Sequence, residues 1–193
     1  EHVDQFCSDF SISRALQPGL SVLIPYPDEE IEIESVIRSV INQYFFPILS
    51  GDLAVTIAGG TNRQDLDEKN LFTYIEGTDW PDRKALIRRL EFAKWCLAQT
   101  EADLVQLKEP PEGKAPKWDE ALFDSEQMTP LRHRFDAGER LAFRMPLWVE
   151  PRKKGIEHSH FKLFLERDAQ IDKGEDYFIR DGITVTGVSS QRQ

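Results

Sequence analysis

The sequence has no run of about 18 apolar residues, and we therefore predict no membrane-spanning helix. It shows no basic-then-apolar stretch near its start, and we expect no cleaved leader. Its two cysteines, Cys7 in a polar segment and Cys96 in a predicted helix, are too few for a disulfide framework. These shortages favour a protein of a reducing compartment, and we expect it in the cytoplasm.

Positive charge is also scarce, because 24 Lys and Arg residues face 34 Asp and Glu residues and leave a net charge of −10. Affinity for nucleic acid depends on neutralisation of phosphates by Lys and Arg, so nucleic acid is not an expected partner of this segment. The 193 residues fit one large domain or a domain carrying part of another. The sequence begins at Glu1 without a methionine, which predicts a fragment or a trimmed product.

Familiar catalytic motifs are missing as well. There is no Gly-x-Ser-x-Gly nucleophile elbow, and neither cysteine has a histidine close to it in the sequence. The glycines Gly59 and Gly60 precede neither the lysine nor the helix of a phosphate-binding loop, and we predict a turn after a strand. Composition and spacing alone therefore predict an α+β domain without a catalytic signature.

The strongest pattern present is a strand, a helix and a second strand between residues 19 and 57. Residues 20–24 alternate as a strand that two following prolines close. From Asp28, the predicted helix cap, apolar residues recur at three- and four-residue steps as far as Ile48, which predicts a helix of about five turns that Pro47 and then Ser50-Gly51 end. Residues 53–57 predict the next strand. The apolar stripe of the helix consists of Ile33, Val36, Ile37, Val40, Ile41, Tyr44, Phe45 and Ile48.

A second helix is predicted after Asp79, with Pro81 in its first turn. Its predicted buried residues are Leu86, Leu90, Ala93 and Leu97. Its other side is basic, and we predict a solvated face rather than a binding surface. The basic residues are Arg83, Lys84, Arg88, Arg89 and Lys94. Residues 62–78, which precede this helix, predict a polar connection with one short helix.

The remaining segments predict strands and one short helix. A helix is expected at residues 131–135, and a strand at residues 141–149, where Pro146 indicates a sheet edge or a bulge. Further strands are expected at residues 161–165 and within 177–188, and residues 10–15 favour a hairpin with the strand at 20–24. The whole pattern predicts an α+β fold in which two long helices pack on a mixed sheet.

His158 and His160 are candidate metal ligands, because residues two apart on a strand point to the same face. Acidic residues lie nearby in the sequence, namely Glu157, Glu166 and Asp168. No third ligand follows at a recognisable spacing, and histidines at the start of a strand are commonly surface residues. A metal-dependent hydrolase using this pair is therefore an alternative function.

Four segments resemble a known family in the same order. Residues 18–25 are similar to the Gly-Thr-x-Val-x-Ile strand that closes the ATP-binding domain of the GHKL superfamily, which includes gyrase B, MutL, the histidine kinases, the MORC proteins and the ninety-kilodalton heat-shock chaperone. Residues 40–48 resemble the Tyr-Ser-x-Phe-Ile-x-x-Pro-Ile segment of the chaperone. Residues 161–168 and 177–183 look like successive strands of its middle domain.

The resemblance implies a division of the chain. The GHKL ATP site requires a Glu-x-x-x-Asn helix and an Asp-x-Gly-x-Gly turn, and the sequence has neither. Residues 1–27 are then the C-terminal hairpin of an otherwise missing ATP-binding domain, and residues 28–193 a transducer, or middle, domain of ribosomal-S5-like fold. This chain is expected to hold no cofactor itself, whereas the parent protein binds ATP and magnesium.

The implied function is to couple the ATP state of the parent ATPase to conformational change, with the isolated chain not catalytic. The implied partners are the missing ATP-binding domain of the same polypeptide and a second copy in a homodimer. In such proteins a basic transducer residue stabilises charge that develops at the ATP γ-phosphate. Arg180 and Arg192 are the candidates, although an arginine on a strand is more often a surface or ion-pair residue. A free-standing protein-interaction module is the third alternative.

Overall fold

The computed structural model describes residues 2–10, 12, 18–28, 30–112, 114–115, 117–124, 126–150, 155–171 and 173–185. These residues form an α+β structure, as the sequence predicts. The elements are α1 (His2–Asp9), α2 (Ile33–Leu49), β1 (Val55–Gly59), β2 (Asn62–Leu66), α3 (Leu71–Gly77), α4 (Arg83–Ala98), β3 (Val105–Gln106), α5 (Met128–Asp136), β4 (Leu141–Val149), β5 (Glu157–Leu165), β6 (Ile179–Arg180) and β7 (Ile183–Thr184).

Helix α2 lies in the larger of two hydrophobic cores and follows the predicted stripe closely. Its buried apolar residues include Ile37, Ile41, Phe45 and Ile48. The prediction is wrong for Tyr44, which is 41% exposed. The predicted helix end is confirmed at Ser50, the C-cap residue, whereas Pro47 lies buried within the last turn. A proline there costs the helix one hydrogen bond, because its nitrogen has no hydrogen to donate to the carbonyl four residues earlier.

The start of α2 also differs from the prediction. The helix begins at Ile33, after Glu32, and Asp28 does not cap it. Instead Asp28 Oδ1 accepts a hydrogen bond from the backbone amide of Glu30 at 3.1 Å, while its carbonyl accepts one from the amide of Ile31. An aspartate side chain can accept a hydrogen bond from a backbone amide in a turn as well as at a helix end, and Asp28 does so in a turn.

Strands β1 and β2 form an antiparallel hairpin, of which the sequence predicts only the first half. The chain reverses through Gly60, whose φ of +57° is the positive value that a type II′ turn takes at its first central position. β2 is polar along most of its length, and only Leu66 is buried. The segment from residue 62 therefore carries a strand before the predicted short helix, α3.

Helix α4 confirms the second predicted helix but not its predicted start, because Asp79 does not cap it and Pro81 lies before its first turn. It begins at Arg83, after Asp82 in the left-handed conformation with φ of +53°, and it buries Leu86, Leu90 and Ala93. Leu97, the fourth predicted core residue, is 38% exposed. Together with α2, α3 and Trp80, the buried side of α4 completes the first core.

The second core lies under the sheet of order β3-β4-β5, in which β3 is parallel and β5 antiparallel to β4. β4 and β5 pair without interruption from Leu141↔Leu165 to Val149↔Glu157. The predicted edge or bulge is wrong, because β4 is the central strand of the sheet; Pro146 is accommodated there since it lies beyond the two residues of β4 that pair with β3. The buried residues of this core are Leu107, Leu122, Phe123, Leu131, Leu141, Phe143 and Met145.

The last two described strands form a small hairpin that packs on α2. Asp181 and Gly182 connect β6 to β7, and their φ values of +50° and +78° are those of a type I′ turn. A β-carbon on Gly182 would lie 3.8 Å from Pro47 Cβ, so this turn touches the last turn of α2. The rings of Tyr177 and Phe45 meet edge to face with centroids 6.2 Å apart.

The fold therefore corrects the predicted single sheet. α2 packs on β1 and β7, which belong to two separate hairpins, while the mixed sheet of three strands forms the other core. The chain turns back immediately after β1, and β1 therefore pairs with β2 rather than joining the mixed sheet.

The predicted strand at residues 20–24 is wrong for this chain. Residues 18–28 form neither helix nor strand, and most of their apolar side chains are exposed. A two-stranded hairpin is marginal without a third strand or a helix to cover it. Its predicted partner, residues 10–15, lies largely outside the described residues.

Candidate functional site

One face of the β4–β5 ladder collects the charged and aromatic side chains that include both candidate histidines. The register places Arg144 opposite Lys162, Pro146 opposite His160, and Trp148 opposite His158. Alternation explains this segregation, because the odd-numbered residues of both strands face the second core. We refer to Arg144, Trp148, His158, His160 and Lys162 as the polar face of this sheet.

Arg144 is the centre of the polar face. Its Nη1 donates to Gln106 Oε1 at 3.2 Å, and its Nη2 lies 3.1 Å from His160 Nδ1. Its Nε is buried and makes no hydrogen bond within the described residues, although Glu101 Oε2 lies 3.7 Å away as an ion-pair partner. Arg144 thus ties β3, β5 and the turn at Glu101 to one point of β4.

The Glu101 carboxylate forms ion pairs with two side chains of the polar face, Arg144 and Lys162. Lys162 Nζ lies 2.8 Å from Glu101 Oε1. The hydrogen bond from Lys162 is the main cause that lowers the pKa of Glu101, and the charges of Lys162, Arg144 and His160 act in the same direction. The carboxylate is fully ionised near neutral pH and neutralises part of the positive charge of this face.

At the other end of the polar face, β4 and β5 hold the segment that follows β3. His158 Nε2 lies 3.2 Å from Glu109 Oε1, and Trp148 Nε1 donates to the carbonyl oxygen of Pro110 at 3.1 Å. The Trp148 and His158 rings lie 5.2 Å apart between centroids. These contacts hold Glu109 and Pro110 against the sheet.

The two candidate histidines do share a face, as the sequence predicts, but each has a different partner. His158 contacts a carboxylate, whereas His160 contacts the guanidinium of Arg144, a cation that opposes a metal ion at the same ring. Within the described part of the chain, no three His, Cys, Asp or Glu side chains lie close enough to hold a metal ion. The arrangement supports ion pairing, and it offers no nucleophile beside a base.

The candidate catalytic arginines lie elsewhere. Arg180 is on β6, and its Nε lies 3.9 Å from Asp181 Oδ2 with the Arg180 side chain 85% exposed. Arg192 lies outside the described residues. Arg180 therefore belongs to the hairpin on α2 rather than to the polar face of the mixed sheet.

The basic side of α4 is only partly the solvated face that the sequence predicts. Arg88 Nε lies 3.0 Å from Asp168 Oδ2, and Arg88 Nη1 donates to Gln170 Oε1 at 2.9 Å. Arg89 lies over the Tyr177 ring at 4.9 Å and 3.7 Å from a Glu175 carboxylate oxygen.

The sequence did not predict the contacts that four residues make with α4, although one of them, Asp168, is among the acidic residues near the histidine pair. The four are Asp168, Gln170, Glu175 and Tyr177. The acidic residues there are a weak signal in so acidic a chain, and the contacts cross about 80 positions. The basic residues of α4 thus hold the segment that leads to β6.

Comparison with family models, with curated proteins and with solved structures found no match for this chain. No helix of the described residues is long and apolar enough to cross a bilayer.

Proposed function

We propose that this chain is the coupling part of a GHKL-type ATPase: residues 28–193 act as the transducer domain, and residues 1–27 belong to the ATP-binding domain that precedes it. The observation that carries the proposal is the exposed apolar segment at residues 20–24, which precedes α2 by eight residues. This segment resembles the last strand of such an ATP-binding domain, and its exposed apolar side chains are those that the rest of that domain would cover.

The exposure of this segment is large. Leu20 is 83% exposed, Val22 75% and Ile24 64%. In an extended strand these three side chains point to one face, which a neighbouring sheet would cover. Burying each is worth roughly 1.5–3 kcal/mol before the entropy of ordering the segment is subtracted. If the preceding domain includes residues 20–24 as a strand of its sheet, that sheet buries these three apolar side chains.

The packing of α2 supports a relay role. The helix contacts β1, β7 and α4 and so forms one packed unit with them. In this proposal residues 20–24 are a strand of the ATP-binding domain, and the connection from residue 25 to residue 32 carries movement of that domain to α2. Rigid-body rotation of one domain against another is a common way to convert a ligand state into movement.

Arg180 is the described candidate for contact with the ATP γ-phosphate. Its hairpin rests on α2 through Gly182 and Tyr177, so it moves with the helix. Its side chain is exposed, and its ion pair with Asp181 at 3.9 Å is long and weak, so an incoming phosphate can replace it. The chain itself holds no cofactor in this proposal; ATP and magnesium bind in the parent protein, which also forms the homodimer.

The test uses the natural polypeptide that contains this sequence, alongside the 193-residue chain. We expect ATP hydrolysis by the former, and no binding of magnesium ATP to the latter by calorimetry. Arg180→Ala should lower the maximal hydrolysis rate, whereas Arg63→Ala, which removes an exposed arginine from the β1–β2 hairpin, should not. Absence of Glu-x-x-x-Asn and Asp-x-Gly-x-Gly motifs upstream, or tight ATP binding by the chain alone, would refute the proposal.

A further inference from the structure

The hairpin of β6 and β7, which carries Arg180, is too short to hold a fixed position by itself. Each strand has two residues, and they form two cross-strand pairs. A further backbone hydrogen bond, from the amide of Val185 to the carbonyl oxygen of Phe178 at 2.8 Å, closes the open end. A two-stranded hairpin alone is marginal in water. The direction of Arg180 therefore depends on what this hairpin packs against.

The hairpin is supported on both sides of Arg180. After it in the sequence, Gly182 touches Pro47 in the last turn of α2. Before it, the ring of Tyr177 packs edge to face on Phe45 of α2 and also reaches α4. Arg180 thus lies between a support on α2 and a support that α2 and α4 share.

Three side chains at the second support contact one another. The Arg89 guanidinium lies over the Tyr177 ring, 4.9 Å from its centroid, and 3.7 Å from Glu175 Oε2. The Tyr177 hydroxyl donates a hydrogen bond to the same Glu175 oxygen. The Arg89 side chain is only 26% exposed, which strengthens its attraction to the ring. We refer to Arg89, Glu175 and Tyr177 as the Tyr177 cluster, which holds the ring in one orientation on α4.

We infer that Tyr177 is a positioning residue for Arg180: through the Tyr177 cluster, α4 sets the direction in which the Arg180 side chain leaves the surface. The inference rests on the proposed function, in which Arg180 contacts the ATP γ-phosphate. The Arg180 side chain is 85% exposed, so its placement comes from the backbone of the hairpin rather than from packing of its own. Because a displacement of about 1 Å at a reacting centre can cost about 100-fold in rate, the hold on Tyr177 affects turnover without touching the phosphate.

A double-mutant cycle in the natural polypeptide tests whether Tyr177 acts through Arg180. Tyr177→Ala should lower kcat for ATP hydrolysis by up to about 100-fold with KM unchanged. Tyr177→Phe should keep most of the activity, because phenylalanine keeps the ring contacts. In the Arg180→Ala background, Tyr177→Ala should have no further effect. A merely structural role would instead lower kcat by the same factor in both backgrounds, since only the folded fraction would change.

The α4 side of the cluster has a matched control on the same helix. Arg89→Met should lower kcat as Tyr177→Ala does, because it removes the cation over the ring. Lys94→Met, which removes a cation lying 5.6 Å from the centroid of the Phe72 ring, should leave kcat unchanged. Equal losses in both variants would contradict a specific role of the Tyr177 cluster.

Amide hydrogen exchange at Val185 in the 193-residue chain gives a readout that needs no ATP. Exchange should be faster in Tyr177→Ala than in wild type and unchanged in Tyr177→Phe, because the Val185 amide is bonded across the hairpin that the ring supports. A natural polypeptide without ATPase activity refutes the proposed function, and exchange at Val185 still decides whether Tyr177 holds the hairpin. Wild-type exchange in Tyr177→Ala, or an equal loss of kcat with and without Arg180, overturns the inference.

Discussion

Arg88 on α4 and Asp168 after β5 form an ion pair, with 3.0 Å between Nε and Oδ2, across 80 positions of the sequence. Both side chains are largely shielded from solvent, with 31% and 21% of their surfaces exposed. The pair links the helix of the first core to the segment that leaves the mixed sheet. It therefore helps to hold the two cores and the last hairpin together.

Removing this ion pair should lower stability measurably. We expect Arg88→Ala and Asp168→Ala each to reduce the free energy of unfolding by about 0.5–1.5 kcal/mol, because each leaves a partly shielded charge without its partner. Urea unfolding of both single variants and of the double variant gives the coupling energy. Arg63→Ala, which breaks an exposed pair between neighbouring residues, is the control and should leave stability unchanged. Strictly additive effects of the two substitutions would contradict the account.

The ring of Tyr177 should matter more than its hydroxyl group. The ring lies between Phe45, with centroids 6.2 Å apart, and Arg89, 4.9 Å above it. Tyr177→Ala should cost about 1–3 kcal/mol of unfolding free energy, and Tyr177→Phe much less, because phenylalanine keeps both ring contacts. Thermal unfolding of the two variants measures the difference. Equal losses would show that the hydroxyl bond to Glu175 is what holds the segment.

Tyr177 also predicts a loss of stability in alkali. Burial raises the pKa of Tyr177 above its ordinary value, and the hydrogen bond to Glu175 adds to this. A pKa that is raised in the folded state stabilises the protein fully below the unfolded value of about 10, and this contribution is lost as the pH rises further. Tyr177→Phe should therefore lose less stability above about pH 10 than wild type. Tyr26→Phe, at a residue that is 99% exposed, should behave like wild type.

Glu101 offers a test of the polar face. We expect its carboxyl pKa, followed by nuclear magnetic resonance, below the ordinary value of about 4.3, and Lys162→Met should raise it because Lys162 is the main cause of the shift. With a lowered folded pKa, the stabilising contribution is present above the ordinary value and is lost as the pH falls through the folded one. Lys108→Met, which removes the partner of Asp124, should leave the pKa of Glu101 unchanged.

Metal analysis decides the hydrolase alternative. Because His160 contacts Arg144 at 3.1 Å, we expect purified protein to carry no stoichiometric zinc or manganese. Stoichiometric metal that is lost in both His158→Ala and His160→Ala would contradict this expectation and favour the hydrolase. His133→Ala, on α5, is the matched histidine control.

The predictable parts of the fold are those that local periodicity determines. Ile37, Ile41, Phe45 and Ile48 reveal α2 because helix geometry repeats every 3.6 residues and one face must be buried. β2 escapes the same reasoning, since only Leu66 on that strand is buried and the rest of the strand faces solvent. These residues form a strand because the turn at Gly60 brings them beside β1, with which they pair.

Contacts between distant segments were not predictable from the sequence. The basic residues of α4 look solvated in isolation, and only the tertiary structure brings Asp168 and Tyr177 to them. The polar face shows the intermediate case: strand alternation predicts that His158 and His160 share a side. Their partners, Glu109 and Arg144, depend on where other segments cross the sheet.

The most direct test of the proposed coupling role is amide hydrogen exchange at Val22, Leu23 and Ile24, measured in the 193-residue chain and in the natural polypeptide that contains it. The account predicts fast exchange in the chain alone and strong protection in the natural polypeptide, where these residues complete a sheet of the ATP-binding domain. Equally fast exchange in both proteins, or protection already present in the chain alone, would contradict it.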